Sequence, residues 1–422
     1  MLQVKMLAEK VRLVAVPADK FKTGCISVSM ALPMDEKMAA NSLLIYLLKR
    51  SCKRYPDFSL LAGKLDELYG AVLGASVAKN GESQTLTLSI TSLADKFALT
   101  DESIASESAQ LLADLLFEPN CENGMFNAEA LAMEKRLLIQ RIEEEMDDKR
   151  TYAFKKCVSF MCKDEPYGKS KYGTVEEIEA VTEKDVYEAW QNMLSTAVIQ
   201  ITVVGSADVN RICEAFECRF RSVERNPVQI ETVFVQDGGE LQRYEEKFNV
   251  NQGKLVIGFR AGMDHRRDNL FAITVMNDIF GMGTYSKLFT NVREKLSLAY
   301  YCWSRLVPGK GIVLVESGID TDKEKAVTDE VMFQLSELIN GKTDPEVLES
   351  SKRALKEKYT FTSPEGIQNW YASQVTCDDI LTPEDMINGF EGVTMEQVCT
   401  AASKLSLDTV FMLSAEEGND EN

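Results

Sequence analysis

The chain has 422 residues, 45% of them hydrophobic, which allows about two domains with sizeable cores; no apolar run reaches the roughly 18 residues of a membrane span. Its formal charge of −19, from 66 acidic and 47 basic residues, argues against nucleic acid as a partner, because phosphates demand a basic footprint, and reads as a solvated acidic surface. Ten cysteines lack any CxxC spacing: Cys157 with Cys162, and Cys213 with Cys218, stand five apart on helical stretches, so they read as reduced, mostly buried thiols of a cytoplasmic protein.

The first 24 residues interrupt their apolar stretches with charges and a proline and make a poor secretion signal. Residues 24–32, GCISVSMAL, predict a strand leading to a helix at about 37–50. Residues 65–90 predict a helix end, a strand, a Gly-containing turn and a second strand. A long helix is predicted over 126–147. At 181–186, VTEKDV places a threonine cap three residues before an acid; its helix runs through Trp190, and the strand AVIQITVVG follows. The stretch 222–247, with Pro227 and the pair Gly238-Gly239, reads as a charge-rich connection.

The second half repeats this order. GKLVIGFRA at 253–261 predicts a strand leading to a helix at about 268–281. Residues 291–319 again read as helix end, strand, turn and strand, and a helix over 344–361 has Asp344 as cap and Pro345 in its first turn. VTMEQV at 393–398 opens a helix running through Leu405, followed by the strand TVFMLSA. Strands come early in each half, helices sit in the middle, and a helix–strand unit closes it, which predicts an α+β class rather than alternating βαβ. The expected domains are 1–225 and 245–422, joined by a linker at 226–244, as two halves of related fold facing each other across a cavity.

Several residue sets bear on chemistry. Gly281-Met282-Gly283 follows a helix rather than a strand, and Ser286 stands where a third glycine would be, so no nucleotide loop is expected. No G-x-S-x-G elbow occurs. The single histidine, His265, lies between Asp264 and Arg266 in an expected turn and reads as a surface residue without a metal role. With one histidine, a pair of imidazole ligands cannot form anywhere in the chain.

The segment Gly283-Thr284-Tyr285-Ser286-Lys287-Leu288-Phe289, then Asn291-Val292-Arg293-Glu294-Lys295 and Leu298-Ala299-Tyr300, resembles the second-half signature of the insulinase/pitrilysin (inverzincin) metallopeptidase family. LDELYGA at 65–71, EKRLLIQRIEEEMDDK at 134–149 and the run from Glu165-Pro166-Tyr167-Gly168 to Gly173 resemble its non-catalytic YmfF-like branch, which is associated with modification of elongation factor P. The resemblance implies two tandem homologous α/β-roll domains, each an antiparallel sheet with helices on one face, in the metallopeptidase-like (LuxS/MPP-like) fold.

Active members carry H-x-x-E-H on a first-half helix and a further glutamate downstream. Laid on this chain, the motif positions fall on Ser42, Ile45 and Tyr46, in a helix apolar on nearly every face, and the downstream position on Arg141. A guanidinium cannot ligate zinc. The resemblance therefore implies a chain without metal or other cofactor and without peptidase activity of its own. It also implies that Arg293 and Tyr300, seven residues apart, hold substrate backbone and a developing oxyanion, with Gly283 and Ser286 bordering the substrate chamber. From residue type alone, Arg293 and Tyr300 would read as a helix-end ion pair and a strand-packing ring; the REK…LAY context favours the substrate role. The implied partners are a zinc-bearing subunit of the same family, in a heterodimer, and a peptide. The rival expectation is a purely structural or peptide-binding scaffold.

Overall fold

The structure, a computed structural model, describes residues 2–266 and 269–415. In chain order the first part comprises β1 (Gln3–Ala8), β2 (Val11–Val16), β3 (Thr23–Pro33), α1 (Met38–Arg50), α2 (Phe58–Glu67), β4 (Val72–Asn80), β5 (Ser83–Leu93) and α3 (Ile104–Phe117). A two-stranded ribbon, β6 (Cys121–Glu122) and β7 (Met125–Phe126), precedes α4 (Ala128–Asp147), α5 (Lys149–Met161), α6 (Val175–Ala180), α7 (Glu183–Thr196), β8 (Val198–Val204) and α8 (Val209–Phe220). The remainder comprises β9 (Gln242–Phe248), β10 (Gly253–Arg260), α9 (Leu270–Asn277), β11 (Tyr301–Val307), β12 (Ile312–Ile319), α10 (Glu324–Ile339), α11 (Pro345–Lys358), α12 (Pro364–Ala372), α13 (Pro383–Glu391), α14 (Met395–Ala402) and β13 (Ser406–Ala415).

The helix starts follow their caps. Thr182 and Asp185 form a reciprocal capping box at α7, as do Thr394 and Gln397 at α14. The Asp344 carboxylate accepts from Glu346 N–H at 2.9 Å, with Pro345 at the first helical position.

Two sheets organise the chain. The first runs β1-β2-β8-β3-β5-β4 and the second β11-β12-β10-β13-β9. Read from β4 and from β11, the first five strands of each order correspond, and β1 is an extra edge strand of the first sheet. Both are mostly antiparallel, but each holds one parallel pair, β2 with β8 and β9 with β13, because the closing helix–strand unit inserts beside the opening strand. The stretch 222–247 is therefore not wholly a connection: β9 is a sheet edge. Its sequence QRYEEKF turns Tyr244 and Phe248 toward the sheet's apolar cluster, while its exposed charges suit an edge strand.

The compact units interleave in sequence. One holds 1–142, 170–231 and 361–380; the other holds 143–169, 232–360 and 381–422. In the first, Val11, Leu13 and Ala15 of β2 face the main core, which includes Leu43 and Leu44 of α1 and Leu112 of α3. Val14 and Val204 face the other way, against Ile367 and Tyr371 of α12. Arg12 and Gln200 fix that helix: Arg12 donates to the carbonyls of Cys377 and Gln374 at 2.7 Å, and Gln200 to that of Tyr371 at 2.7 Å. In the second unit, α5 covers one sheet face, with Cys157, Val158 and Met161 against Val256, Phe411 and Leu413. Each sheet thus gains a helix on its second face, from a segment that the boundaries 1–225 and 245–422 would place with the other half.

Candidate functional site

The segment Leu288–Lys295 is wound wider than an α-helix and buries Leu288 and Val292, which leaves Arg293 exposed. It ends with Leu296 N–H on the Asn291 carbonyl at 3.0 Å, and Ser297 takes the left-handed conformation, φ 50°. Tyr300 N–H then bonds the Gly318 carbonyl at 2.9 Å and starts the pairing of β11 with β12. The seven-residue spacing therefore spans a helix end, a sharp turn and a strand start.

Arg293 and Tyr300 line one open cavity of about 420 Å³, together with Ser297, Asp320 and Lys323. Tyr300 is 61% exposed. Its hydroxyl donates to Asp320 Oδ1 at 3.2 Å, while Lys323 Nζ lies 2.7 Å from Asp320 Oδ2. The hydrogen bond from Lys323 holds the Asp320 carboxyl below its usual range. The Arg293 guanidinium lies 4.7 Å over the Phe289 ring, with Nε 3.5 Å from Glu294 Oε1. Chemically the cavity offers a guanidinium fork and a phenol, donors suited to a peptide carbonyl or an oxyanion.

Gly283 and Ser286 do not line this cavity. Ser286 is fully buried, and its hydroxyl accepts from Phe289 N–H at 3.3 Å. The neighbouring glycine has a packing reason: a Cβ on Gly281 would stand 2.6 Å from Ser304 N of β11, so only glycine lets the strand approach there. Asp320 and Lys323 went unrecognised from sequence; they follow β12 and carry no spacing signal relative to Arg293.

The positions implied for a metal lie in the first unit. From Met38 to Leu48 every residue of α1 is buried. Ser42 donates to the Met38 carbonyl at 2.8 Å and accepts from Gln84 Nε2 at 3.0 Å. Gln84 also donates to the Lys171 carbonyl at 2.7 Å and accepts from Asn41 at 3.0 Å. Ile45 is fully buried. Tyr46 and Arg141 meet, with the guanidinium 4.5 Å over the ring. Burial pushes the Tyr46 phenol up to about 12. These residues do not fit zinc: they supply no imidazole and no carboxylate, and a fixed cation stands at the downstream position. Among the described residues no group of three or more His, Cys, Asp or Glu could hold a metal ion.

His265 is a correction to the expected surface position. It is 1% exposed, with Nε2 3.2 Å from the Ala261 carbonyl and its backbone N–H on the Pro308 carbonyl at 3.1 Å. Its charged neighbours suggested the surface, but the turn folds the ring inward. The cysteines form no disulfide; Cys157, Cys162 and Cys213 are buried, while Cys218 is exposed.

Fold and sites together define a metallopeptidase-like protein whose expected metal positions are taken by a polar network, an apolar side chain and a tyrosine–arginine pair. Comparison with known proteins agrees with this class. The family profile described as "Peptidase M16 inactive domain" matches residues 180–355. A Bacillus subtilis protein named "Probable inactive metalloprotease YmfF" is 30% identical over 406 residues, covering 96% of this chain and 95% of that protein. A conserved protein from Enterococcus faecalis has a solved structure with TM-score 0.88 and 27% identity, covering 99% of this chain and all of that one. A structure titled as a peptidase M16 inactive domain from Pseudomonas fluorescens has TM-score 0.80 at 19% identity, over 98% of both chains. The chain belongs to the peptidase M16 family, the insulinase/pitrilysin group that its sequence resembles.

Proposed function

We propose that this chain is the zinc-free subunit of an M16 peptidase heterodimer, in which a zinc-bearing relative supplies the metal and this chain supplies Arg293 and Tyr300. The observation that carries the reading is the contrast between the two sites. The metal positions carry no zinc ligand and hold a guanidinium against the Tyr46 ring. Arg293 and Tyr300 share an open cavity in which Tyr300 is 61% exposed. In such a complex Arg293 would clamp the peptide backbone, and Tyr300 would donate to the oxyanion as it forms. Gly283 would act as part of the segment shaping the chamber, with buried Ser286 holding that segment in place. A cytoplasmic location fits the reduced cysteines; among the described residues no helix is long and apolar enough to cross a membrane.

The second reading, a structural or peptide-binding scaffold, is favoured by the local partners of the same pair, Asp320 for Tyr300 and Glu294 with Phe289 for Arg293. Mixing the purified chain with a zinc-bearing M16 relative separates the two. The heterodimer reading expects peptide cleavage from the mixture and none from this chain alone. A stable complex whose activity equals that of the zinc-bearing relative alone would favour the scaffold.

A further inference from the structure

The first unit contains a second cavity, of about 550 Å³, at the positions where the family's metal chemistry has been lost. Tyr46 of α1 and Arg141 of α4 line it, with Lys49, Arg50 and Glu134. Its charges do not balance. Glu134 neutralises Arg50, with Oε1 2.9 Å from Nη1. Asp57, the other acid of the lining, is the N-cap of α2 and accepts from Leu60 N–H at 2.9 Å. Arg141 has the Tyr46 ring as its contact, and among the described residues no carboxylate pairs with Arg141 or with Lys49. Two uncompensated cations converge on one concavity in a chain of net charge −19, where acidic partners are abundant.

The rest of the lining is amphipathic. Phe58 is 80% and Leu137 42% exposed, so large apolar side chains stand open beside the cations. Asn120 and Asn127 also line it, each already held within the chain: Asn120 donates to the Pro56 carbonyl at 2.9 Å, and Asn127 accepts from Ala130 N–H at 2.9 Å. Exposed apolar surface next to unpaired cations marks a binding site rather than a solvated face. The charge selects an anion, the aliphatic and aromatic walls select an apolar flank, and the guanidinium fork matches a planar carboxylate.

We propose that this cavity binds the C-terminal carboxylate of a peptide with apolar final residues, with Arg141 as the carboxylate receptor and Lys49 as a supporting charge. A chain end suits a concavity floored by buried Tyr46, because a terminus need only enter it. The site does not rest on a partner subunit, and binding involves no bond making. Tyr46 is a positioning residue: its ring face holds the guanidinium while the N–H edge stays available.

The test is calorimetry on the full chain with an N-acetylated apolar hexapeptide in three forms: free C-terminal acid, C-terminal amide, and amide with one internal glutamate. The free acid is expected to bind, with affinity falling as salt rises, and both amides to bind at least about tenfold more weakly. Arg141→Gln should weaken the free acid about 10–100-fold, the range of a charged hydrogen bond, at an unchanged melting temperature. Arg141→Lys, which keeps the charge and loses the fork, should fall between. Lys49→Ala on the exposed side cannot disturb the core and should cost a few-fold. Equal binding of acid and amide, dependence on the internal glutamate instead, no binding of the acid by the unmodified chain, or an Arg141→Gln affinity equal to the original would overturn the proposal.

Discussion

Gln84 holds together the closed end of α1. Its amide joins Asn41, Ser42, the Met38 carbonyl and the Lys171 carbonyl in a largely buried network. Gln84→Leu would keep the volume and leave the buried Asn41 amide without its acceptor, while Ser42 still reaches the Met38 and Lys171 carbonyls. An unsatisfied buried group costs about 1–3 kcal/mol, so the urea midpoint should fall by that equivalent; an unchanged midpoint would mean that water or repacking replaces the network. The sequence placed Ser42, Ile45, Tyr46 and Arg141 through the family resemblance, and the structure does bring Tyr46 and Arg141 together. Gln84 was invisible because its partners come from α1 and from a loop more than eighty residues on, and no periodicity encodes a hydrogen bond between distant segments. His265 misled for a related reason: neighbouring charges describe their own side chains, not the ring between them.

At the scale of elements, the run Glu165-Pro166-Tyr167-Gly168 ties the end of α5 to the second sheet. Glu165 Oε1 lies 2.8 Å from Arg260 Nη1, Lys310 reaches the same carboxylate, and Arg260 Nε lies 2.8 Å from Asp408. All four side chains are nearly buried, and the charges cancel. Removing one partner leaves an uncompensated buried charge, so Glu165→Gln is expected to cost about 3–5 kcal/mol in equilibrium unfolding. Lys325→Ala, at an exposed i,i+4 pair, should stay within about 0.5 kcal/mol. Glu316 of β12 gives a pH signature. Burial raises its carboxyl above the usual range, against the pull of Arg305. In the range between its unfolded and folded values the folded chain binds more protons, so its contribution falls as pH rises through that range. Glu316→Gln should therefore gain melting temperature relative to the parent as pH rises through and above the ordinary glutamate range; a difference independent of pH would contradict this. The caps and the apolar strands were legible because they are local. The pairing of β9 was not, since QRYEEKF lacks an apolar run and becomes a strand only beside β13.

For the whole molecule, the repeat of strand order was legible and the interleaving was not. Helices α5 and α12 look alike in sequence whichever sheet they cover, and contact across hundreds of residues leaves no local mark. Without α12, Val14 and Val204 would lose Ile367 and Tyr371, so a chain ending at Glu231 should aggregate or melt well below the full chain. A metal test belongs at this scale too. Residues that do not fit zinc should make the melting temperature indifferent to a chelator, since a bound metal would stabilise by mass action; a drop on chelation would reveal a site built from other ligands.

Whether Arg293 and Tyr300 complete a partner's active site is tested most directly by steady-state kinetics of the reconstituted heterodimer. Tyr300→Phe should leave assembly and melting unchanged and lower turnover by about 10²–10³-fold, the cost of a lost oxyanion donor. Arg293→Ala should lower turnover and also raise KM, because a backbone clamp acts in ground and transition states alike. Unchanged turnover in both variants, on a complex shown to be assembled, would contradict the claim and leave the scaffold.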